Sequence, residues 1–178
     1  MTRLAGQQAI TDYLTAKATA AQAPGALTPQ QQALLNPTLN PLLGYNLDAW
    51  DGYPAARETV LGTAQALGKR LVVLAGDTHN AWHSELRRLD NSLVGHEFAT
   101  PGVSSPGLED YLAALPPAQV AQIFTGVIDT LKYADTYRRG FLLMQFTPQE
   151  TRGTWYLLDT VKSRTYTVVA AHTASVTA

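Results

Sequence analysis

An aspartate and a histidine stand two positions apart, directly after a short apolar run in the middle of the chain. The run is Leu71–Ala75, and Gly76 separates it from Asp77 and His79. A carboxylate and an imidazole are both ligands for hard or borderline metal ions. The motif predicts a metal site. The alternative is an Asp that caps a helix, next to an ordinary hydrogen-bonded His.

The apolar run itself indicates how this pair would be positioned. An unbroken run with two adjacent valines, Val72 and Val73, is typical of a strand that is buried on both faces of a parallel sheet. Ligands bind outside the carboxyl ends of the strands in open α/β sheets. Asp77 and His79 would therefore lie where such a sheet binds its ligands.

A second histidine, His83, follows His79 by four residues. Residues 80–89 are predicted to be helical, and positions i and i+4 share one face of a helix. Asp77, His79 and His83 could then form a mononuclear zinc site. However, the residues between the two histidines lack the glutamate of the zinc-protease motif. An exposed surface histidine is the alternative for His83.

A second candidate stretch, residues 48–57, combines carboxylates, aromatic rings and an arginine. Arg57 could form a bidentate contact with a phosphoryl oxygen, and Tyr53 could donate a hydrogen bond to it. The alternative is structural: Asp51 would cap the following helix, and Trp50 would be a buried anchor.

The composition excludes several classes of protein. Only 15% of the 178 residues are charged, 46% are hydrophobic, and the net charge is −1. Since no extended basic cluster is present, nucleic acid is not expected as a partner. The chain has no cysteine, which excludes thiolate zinc sites and thiol nucleophiles. No apolar run is long enough to span a bilayer.

The remaining pattern predicts a mixture of helices and strands. Residues 1–22 favour a helix, with a strand at 4–6 as the alternative, and residues 23–46 are predicted to be a long irregular loop. An antiparallel meander is expected at the C-terminal end. The predicted helices cover 54–67, 80–89, 108–114 and 117–132, and the predicted strands cover 71–75, 94–99, 141–146, 154–161 and 165–170.

Three segments together resemble successive motifs of the PhoD-like alkaline phosphatases, which are metallophosphatases of the calcineurin-like superfamily. These segments are residues 50–57, 72–79 and 97–107. The resemblance implies an α/β (α+β) fold, namely the C-terminal half of a β-sandwich flanked by helices. It also implies that residues 1–178 form a single partial domain whose N-terminal half, with its metal-binding segments, has no counterpart in this sequence.

The resemblance further implies an activity, which is the metal-dependent hydrolysis of phosphate monoesters or diesters. Asp77 and His79 would be ligands of a binuclear metal centre, with iron and calcium as the metals and zinc or manganese as alternatives. Asp51, Tyr53 and Arg57 would lie near the phosphate group or support the metal shell.

A non-catalytic chain is the competing hypothesis. Catalytic zinc sites typically use three protein ligands, so two ligands would require a separate N-terminal polypeptide to complete the centre. The sequence has no recognisable signal peptide, whereas full-length members of the resembled family are usually exported to the periplasm or secreted.

Overall fold

The computed structural model describes residues 7–40, 49–112 and 115–177 of the chain. The helices are α1 (Gln7–Gln22), α2 (Pro29–Leu35), α3 (Pro54–Ala66) and α4 (Pro117–Val127). The strands are β1 (Leu71–Ala75), β2 (Ala81–Arg87), β3 (Leu93–Ala99), β4 (Leu131–Asp135), β5 (Gly140–Phe146), β6 (Glu150–Leu158) and β7 (Val168–Thr177). None of these helices is long and apolar enough to cross a membrane.

The chain divides into two compact units, and the division falls between Thr59 and Val60. The prediction that residues 1–178 form one partial domain stays a prediction. In the first unit, α1 contacts α2, and its residues Tyr13 and Ala16 are buried. The helix predicted for residues 1–22 is confirmed from Gln7 onward, whereas the alternative strand at 4–6 lies outside the described residues.

Helix α2 corrects the prediction of an irregular loop over residues 23–46. The hydroxyl of Thr28 accepts a hydrogen bond from the backbone N–H of Gln31 at 3.2 Å, and the backbone N–H of Thr28 donates to Oε1 of Gln31 at 3.0 Å. This reciprocal pair is a capping box, and Pro29 suits the first helical turn. Residues 41–46 of the predicted loop lie outside the described ranges.

The second unit contains two β-sheets. The first sheet has the strand order β1-β3-β2-β4, in which β1 is parallel to β3 and the other pairs are antiparallel. The second sheet, β5-β6-β7, is antiparallel throughout. The predicted C-terminal meander is therefore confirmed, although its last two strands are displaced from the predicted ranges 154–161 and 165–170.

The two sheets pack face to face, and helices lie against the first sheet. A cluster of buried residues from both sheets fills the space between them: Ala81, Phe98, Trp155, Ala174 and Val176. A second cluster joins Leu61 of α3 to Leu86 and Val94, and α4 contacts β4. The predicted α+β fold of a sandwich flanked by helices is confirmed.

Strand β1 lies at an edge of the first sheet. Within the described part of the chain it pairs with β3 alone, and the side chain of Leu74 is 55% exposed. Val72 packs against the cluster between the sheets, while Leu71 and Val73 pack against the cluster that includes α3. The predicted strand is confirmed and both of its faces pack against hydrophobic clusters, but its side chains are only partly buried and that of Leu74 is exposed.

Strand β2 replaces the helix that was predicted over residues 80–89. It lies between β3 and β4 and pairs with both, and it buries Ala81, His83 and Leu86. Its alanine, glutamate, leucine and arginine favour a helix. Pairing on both sides outweighs that local preference, since strand formation depends strongly on tertiary context.

The two helices predicted after residue 107 are shorter than expected. The first is a single 3-10 turn, Leu108–Asp110, and residues 113–114 of the prediction lie outside the described ranges. The second, α4, ends at Val127, where Ile128 takes an extended conformation. The predicted range 117–132 was too long because Leu131 already pairs with Ser84 of β2.

Candidate metal centre

The loop that joins β1 to β2 carries the candidate metal ligands. Asp77 has φ = 64° and His79 has φ = 59°, so both non-glycine residues adopt the left-handed conformation. Such residues cost of order 1–3 kcal/mol each and cluster at functional sites, where the surrounding contacts maintain them. Both side chains are exposed, and the loop is tied back by the N–H of Thr100, which donates to the carbonyl of Ala75 at 2.9 Å.

The imidazole of His79 is held by a carbonyl group from a distant loop. Its Nδ1 lies 2.9 Å from the backbone oxygen of Pro106. A carbonyl oxygen can only accept a hydrogen bond, so in the neutral imidazole Nδ1 carries the proton and Nε2 has the lone pair. Histidine ligands of metal ions commonly have this arrangement, in which a second group fixes the tautomer. His79 therefore fits the role of a metal ligand through Nε2.

The loop around Pro106 packs closely against the candidate ligands. A Cβ atom added to Gly102 would lie 3.3 Å from Cβ of His79 and 3.0 Å from the carbonyl oxygen of Ser105. The N–H of Gly102 donates to the carbonyl of His79 at 3.1 Å. The glycine at position 102 thus permits the approach that brings Pro106 to His79.

Asn80 is a residue of this site that the sequence did not reveal. It is 3% exposed, its amide nitrogen donates to the carbonyl of Thr78, and its Oδ1 accepts from the N–H of Leu108 at 3.1 Å. A Cβ atom at Gly107 would lie only 2.5 Å from that Oδ1. Sequence offers one signal only, which is a polar residue directly after the Asp-x-His motif.

An ion pair lies on the far side of the same loop. The guanidinium of Arg139 donates to the carboxylate of Glu109, and the side chains are 11% and 20% exposed. Arg139 also donates to the carbonyl of Tyr137 at 2.6 Å. This pair joins residues 30 positions apart, and the sequence analysis did not single it out.

The second predicted group belongs to the first compact unit. Asp51 lies in the 3-10 turn Trp50–Gly52, Tyr53 is 55% exposed, and Arg57 in α3 forms an ion pair with Glu58 at 3.8 Å. Trp50 is 41% exposed, so the alternative that it is a buried anchor is wrong.

His83 is not placed as the mononuclear zinc hypothesis requires. The helical face that it would share with His79 does not exist, because β2 is a strand. His83 is 7% exposed, stacks on Phe98 with ring centroids 4.9 Å apart, and places its Nε2 3.1 Å from Nδ1 of His96. The prediction that His83 is a zinc ligand and the alternative that it is an exposed surface histidine are therefore both wrong.

The described residues do not contain a complete metal site. Across residues 7–40, 49–112 and 115–177, no group of three or more His, Cys, Asp or Glu side chains is arranged to hold a metal ion. Asp77 and His79 are thus two candidate ligands whose further partners would have to come from elsewhere.

Comparison with known proteins decides the family. The sequence model of the PhoD-like phosphatases matches residues 3–155. The chain belongs to the PhoD-like phosphatase family. The family resemblance read from the three sequence motifs is confirmed.

This PhoD-like chain is 35% identical over 68 residues to alkaline phosphatase D of Bacillus subtilis (strain 168). The matched region makes up 35% of this chain and 12% of that protein. A solved structure of PhoD superimposes with a TM-score of 0.57 and 22% identity, over 75% of this chain and 25% of that chain. The structural likeness shows the fold. The PhoD-like chain thus spans about a quarter of the solved relative and less of the curated one.

Proposed function

We propose that this chain provides the Asp77–His79 side of a metal-dependent phosphatase centre of the PhoD-like type, which hydrolyses phosphate monoesters or diesters. The observation that carries the proposal is the hydrogen bond between Nδ1 of His79 and the carbonyl of Pro106 at 2.9 Å. It leaves Nε2 free at the carboxyl end of β1, in a segment that belongs to the matched family region.

The residues of the chain would have distinct roles. Asp77 would bind a metal ion through its carboxylate and His79 through Nε2. Iron and calcium are the metals that the family resemblance implies, with zinc or manganese as alternatives. Imidazole suits iron and zinc, whereas calcium and manganese prefer oxygen ligands such as a carboxylate. When bound, the metal ions would polarise the phosphoryl oxygen and stabilise the charge that develops on it.

The family resemblance implies further roles for Asp51, Tyr53 and Arg57. Arg57 would donate to phosphate oxygens, since a guanidinium matches their geometry, and Tyr53 would add a hydrogen bond from its hydroxyl. Asp51 would support the metal shell.

The rest of the metal centre would come from the N-terminal half of the PhoD-like domain. Two observations support this part of the proposal. The described residues supply two candidate ligands rather than a complete set. In addition, β1 pairs on one side only among the described strands, so its free edge is available to a further strand from that half.

The test uses this chain combined with the N-terminal half of a PhoD-like phosphatase, assayed on p-nitrophenyl phosphate and on bis-p-nitrophenyl phosphate. Asp77→Ala and His79→Ala should each lower kcat/KM by more than about 100-fold, because even residues that only orient metal ligands are typically worth 10–100-fold. Chelation should abolish turnover, and the relevant metal should restore it.

The matched control is Asp90→Ala, which removes an exposed aspartate of the β2–β3 turn whose carboxylate accepts from Ser92 and lies 3.9 Å from the guanidinium of Arg88. Its activity should equal that of the unaltered chain. Metal analysis of the 178-residue chain alone should give less than one ion per chain. Full activity in the Asp77 and His79 variants would reject the assignment.

A further inference from the structure

We propose that Asn80 and the Glu109–Arg139 ion pair are positioning residues for His79. They hold the carbonyl of Pro106 against Nδ1 and thereby keep the proton of the neutral imidazole on Nδ1, which leaves Nε2 as the ligand atom. This inference rests on the proposed function, in which Nε2 of His79 binds a metal ion.

The position of Pro106 requires an explanation because the loop that carries it is long. Residues 100–107 form no helix or strand, and Pro106 lies 27 positions from His79 in the chain. A hydrogen bond to a mobile carbonyl would fix neither the tautomer nor the ring orientation. The loop must therefore be attached to the rest of the unit on both sides of Pro106.

Asn80 provides the first attachment. Its Oδ1 accepts from the N–H of Leu108, two residues after Pro106, while Asn80 itself directly follows His79. The two hydrogen bonds, His79 to Pro106 and Leu108 to Asn80, therefore join the same pair of segments side by side. Asn80 is 3% exposed. Its removal would therefore leave the N–H of Leu108 without its buried acceptor.

Glu109 and Arg139 provide the second attachment. A Cβ atom at Gly107 would lie 2.9 Å from Oε2 of Glu109, so the carboxylate packs directly against the residue after Pro106. Arg139 binds the other carboxylate oxygen. The next residue, Gly140, donates through its N–H to the carbonyl of Gly102 at 3.2 Å. The start of β5 thus holds both ends of the loop.

Burial makes this ion pair sensitive to the loss of one partner. The side chains of Arg139 and Glu109 are 11% and 20% exposed. Removing the charge of Glu109 leaves a largely desolvated guanidinium without its counter-ion, and such a group moves toward water. Movement of Arg139 would release the segment of Glu109 and Gly107, and with it the carbonyl of Pro106.

The experiment reads the tautomer of His79 directly, by nitrogen-15 NMR of the metal-free chain labelled at histidine, at a pH where imidazole is neutral. In the unaltered chain, His79 should be mainly in the Nδ1–H form. Asn80→Ala and Glu109→Gln should each lower the ratio of Nδ1–H to Nε2–H by about fivefold, which is the effect of losing one ordinary hydrogen bond.

The matched control is Glu85→Gln. Glu85 has a side chain 16% exposed and pairs with Arg87 at 2.8 Å and Lys132 at 3.1 Å, so its burial resembles that of Glu109, but it belongs to β2 and has no contact with Pro106. It should leave the His79 ratio unchanged. The indole resonance of buried Trp155 reports folding in every variant, and Glu109→Gln alone carries the test if Asn80→Ala unfolds.

The outcomes separate this inference from the proposed function. An unchanged tautomer ratio in folded Asn80 and Glu109 variants overturns the positioning role, whatever the metal result. A lowered ratio of Nδ1–H to Nε2–H in these variants supports the positioning role. If His79 is in the Nδ1–H form but binds no metal in the assembled enzyme, the metal assignment is rejected while the positioning role stands.

Discussion

The indole Nε1 of Trp155 donates a hydrogen bond to the carbonyl oxygen of Ala99 across the two sheets, at 2.8 Å. Trp155 is fully buried in β6, and Ala99 is the last residue of β3. The loop that carries Pro106 begins at the next residue. One buried hydrogen bond therefore joins the sheets at the base of the candidate metal centre.

Trp155→Phe should lower the free energy of unfolding by about 2–4 kcal/mol. The phenyl ring cannot donate to the carbonyl of Ala99, and it leaves a cavity where part of the indole was. Urea unfolding monitored by circular dichroism measures the change. Trp82→Phe is the matched control, because its Nε1 donates to the hydroxyl of Thr78 near solvent and its loss should cost less than about 1 kcal/mol. If the two variants lose the same free energy of unfolding, burial does not explain the importance of the Trp155 hydrogen bond.

The histidines between the sheets should make stability depend on pH. The pKa of His83 is lowered to about 4, first by burial and then by the charges of the neighbouring His96 and His172. Lys132 acts in the same direction, whereas Glu85 raises the pKa of His83. The pKa values of His96 and His172 are also lowered, mainly by burial.

The sign of the effect follows from proton binding. Between pH 6.5 and pH 4 the unfolded chain binds a proton at His83 that the folded chain does not, so the free energy of unfolding falls as the pH falls. His83 alone should contribute a loss of about 2–3 kcal/mol between pH 7 and pH 4. Urea unfolding at several pH values in this range gives the slope.

His83→Gln should flatten that slope by about one proton. The slope that remains in the Gln variant should come from His96, His172 and the paired carboxylates. The same slope in His83→Gln as in the unaltered chain would show that His83 does not titrate as described.

Gly107→Ala should destabilise the loop beside the candidate ligands. The added methyl would lie 2.5 Å from Oδ1 of Asn80 and 2.8 Å from the carbonyl oxygen of the fully buried Thr136. Such overpacking typically costs about 1–3 kcal/mol. Thermal unfolding measures the loss, and the Nδ1–H signal of His79 should weaken in the same sample.

Gly76→Ala is the control for this prediction, since a Cβ atom there meets nothing within 4 Å and its φ is not positive. It should change stability by no more than about 0.5 kcal/mol. If Gly107→Ala is as stable as Gly76→Ala, the loop accommodates the added methyl group without a loss of stability, and the prediction is wrong.

The sequence predicted the parts of the fold that local pattern determines. The valines of β1 indicated a strand, and Gly68, which has φ = 62° after α3, marked the end of a helix. The capping box at Thr28 was present in the sequence, but the surrounding prolines and glutamines concealed it. The helix-forming residues of β2 gave the wrong result because its pairing with β3 and β4 is not a local property.

For the candidate site too, the sequence predicted the residues of a local motif but not the contacts between distant residues. Asp77 and His79 are neighbours in sequence, so their motif could be read directly. The contact of His79 with Pro106 joins positions 27 residues apart, and the pair of Glu109 and Arg139 joins positions 30 residues apart. No periodicity in a single sequence encodes such distances, which arise only when the sheet brings the loops together.

Among the described strands, β1 is unpaired on the side away from β3, and this edge has a consequence for handling the molecule. Leu71–Ala75 is a five-residue apolar strand with two adjacent valines and no charge, and Leu74 is 55% exposed. Natural proteins protect such edges with charges, prolines or a covering element, because a bare one is a template for aggregation. We therefore expect the 178-residue chain to precipitate as its concentration rises, and Leu74→Lys to keep it in solution.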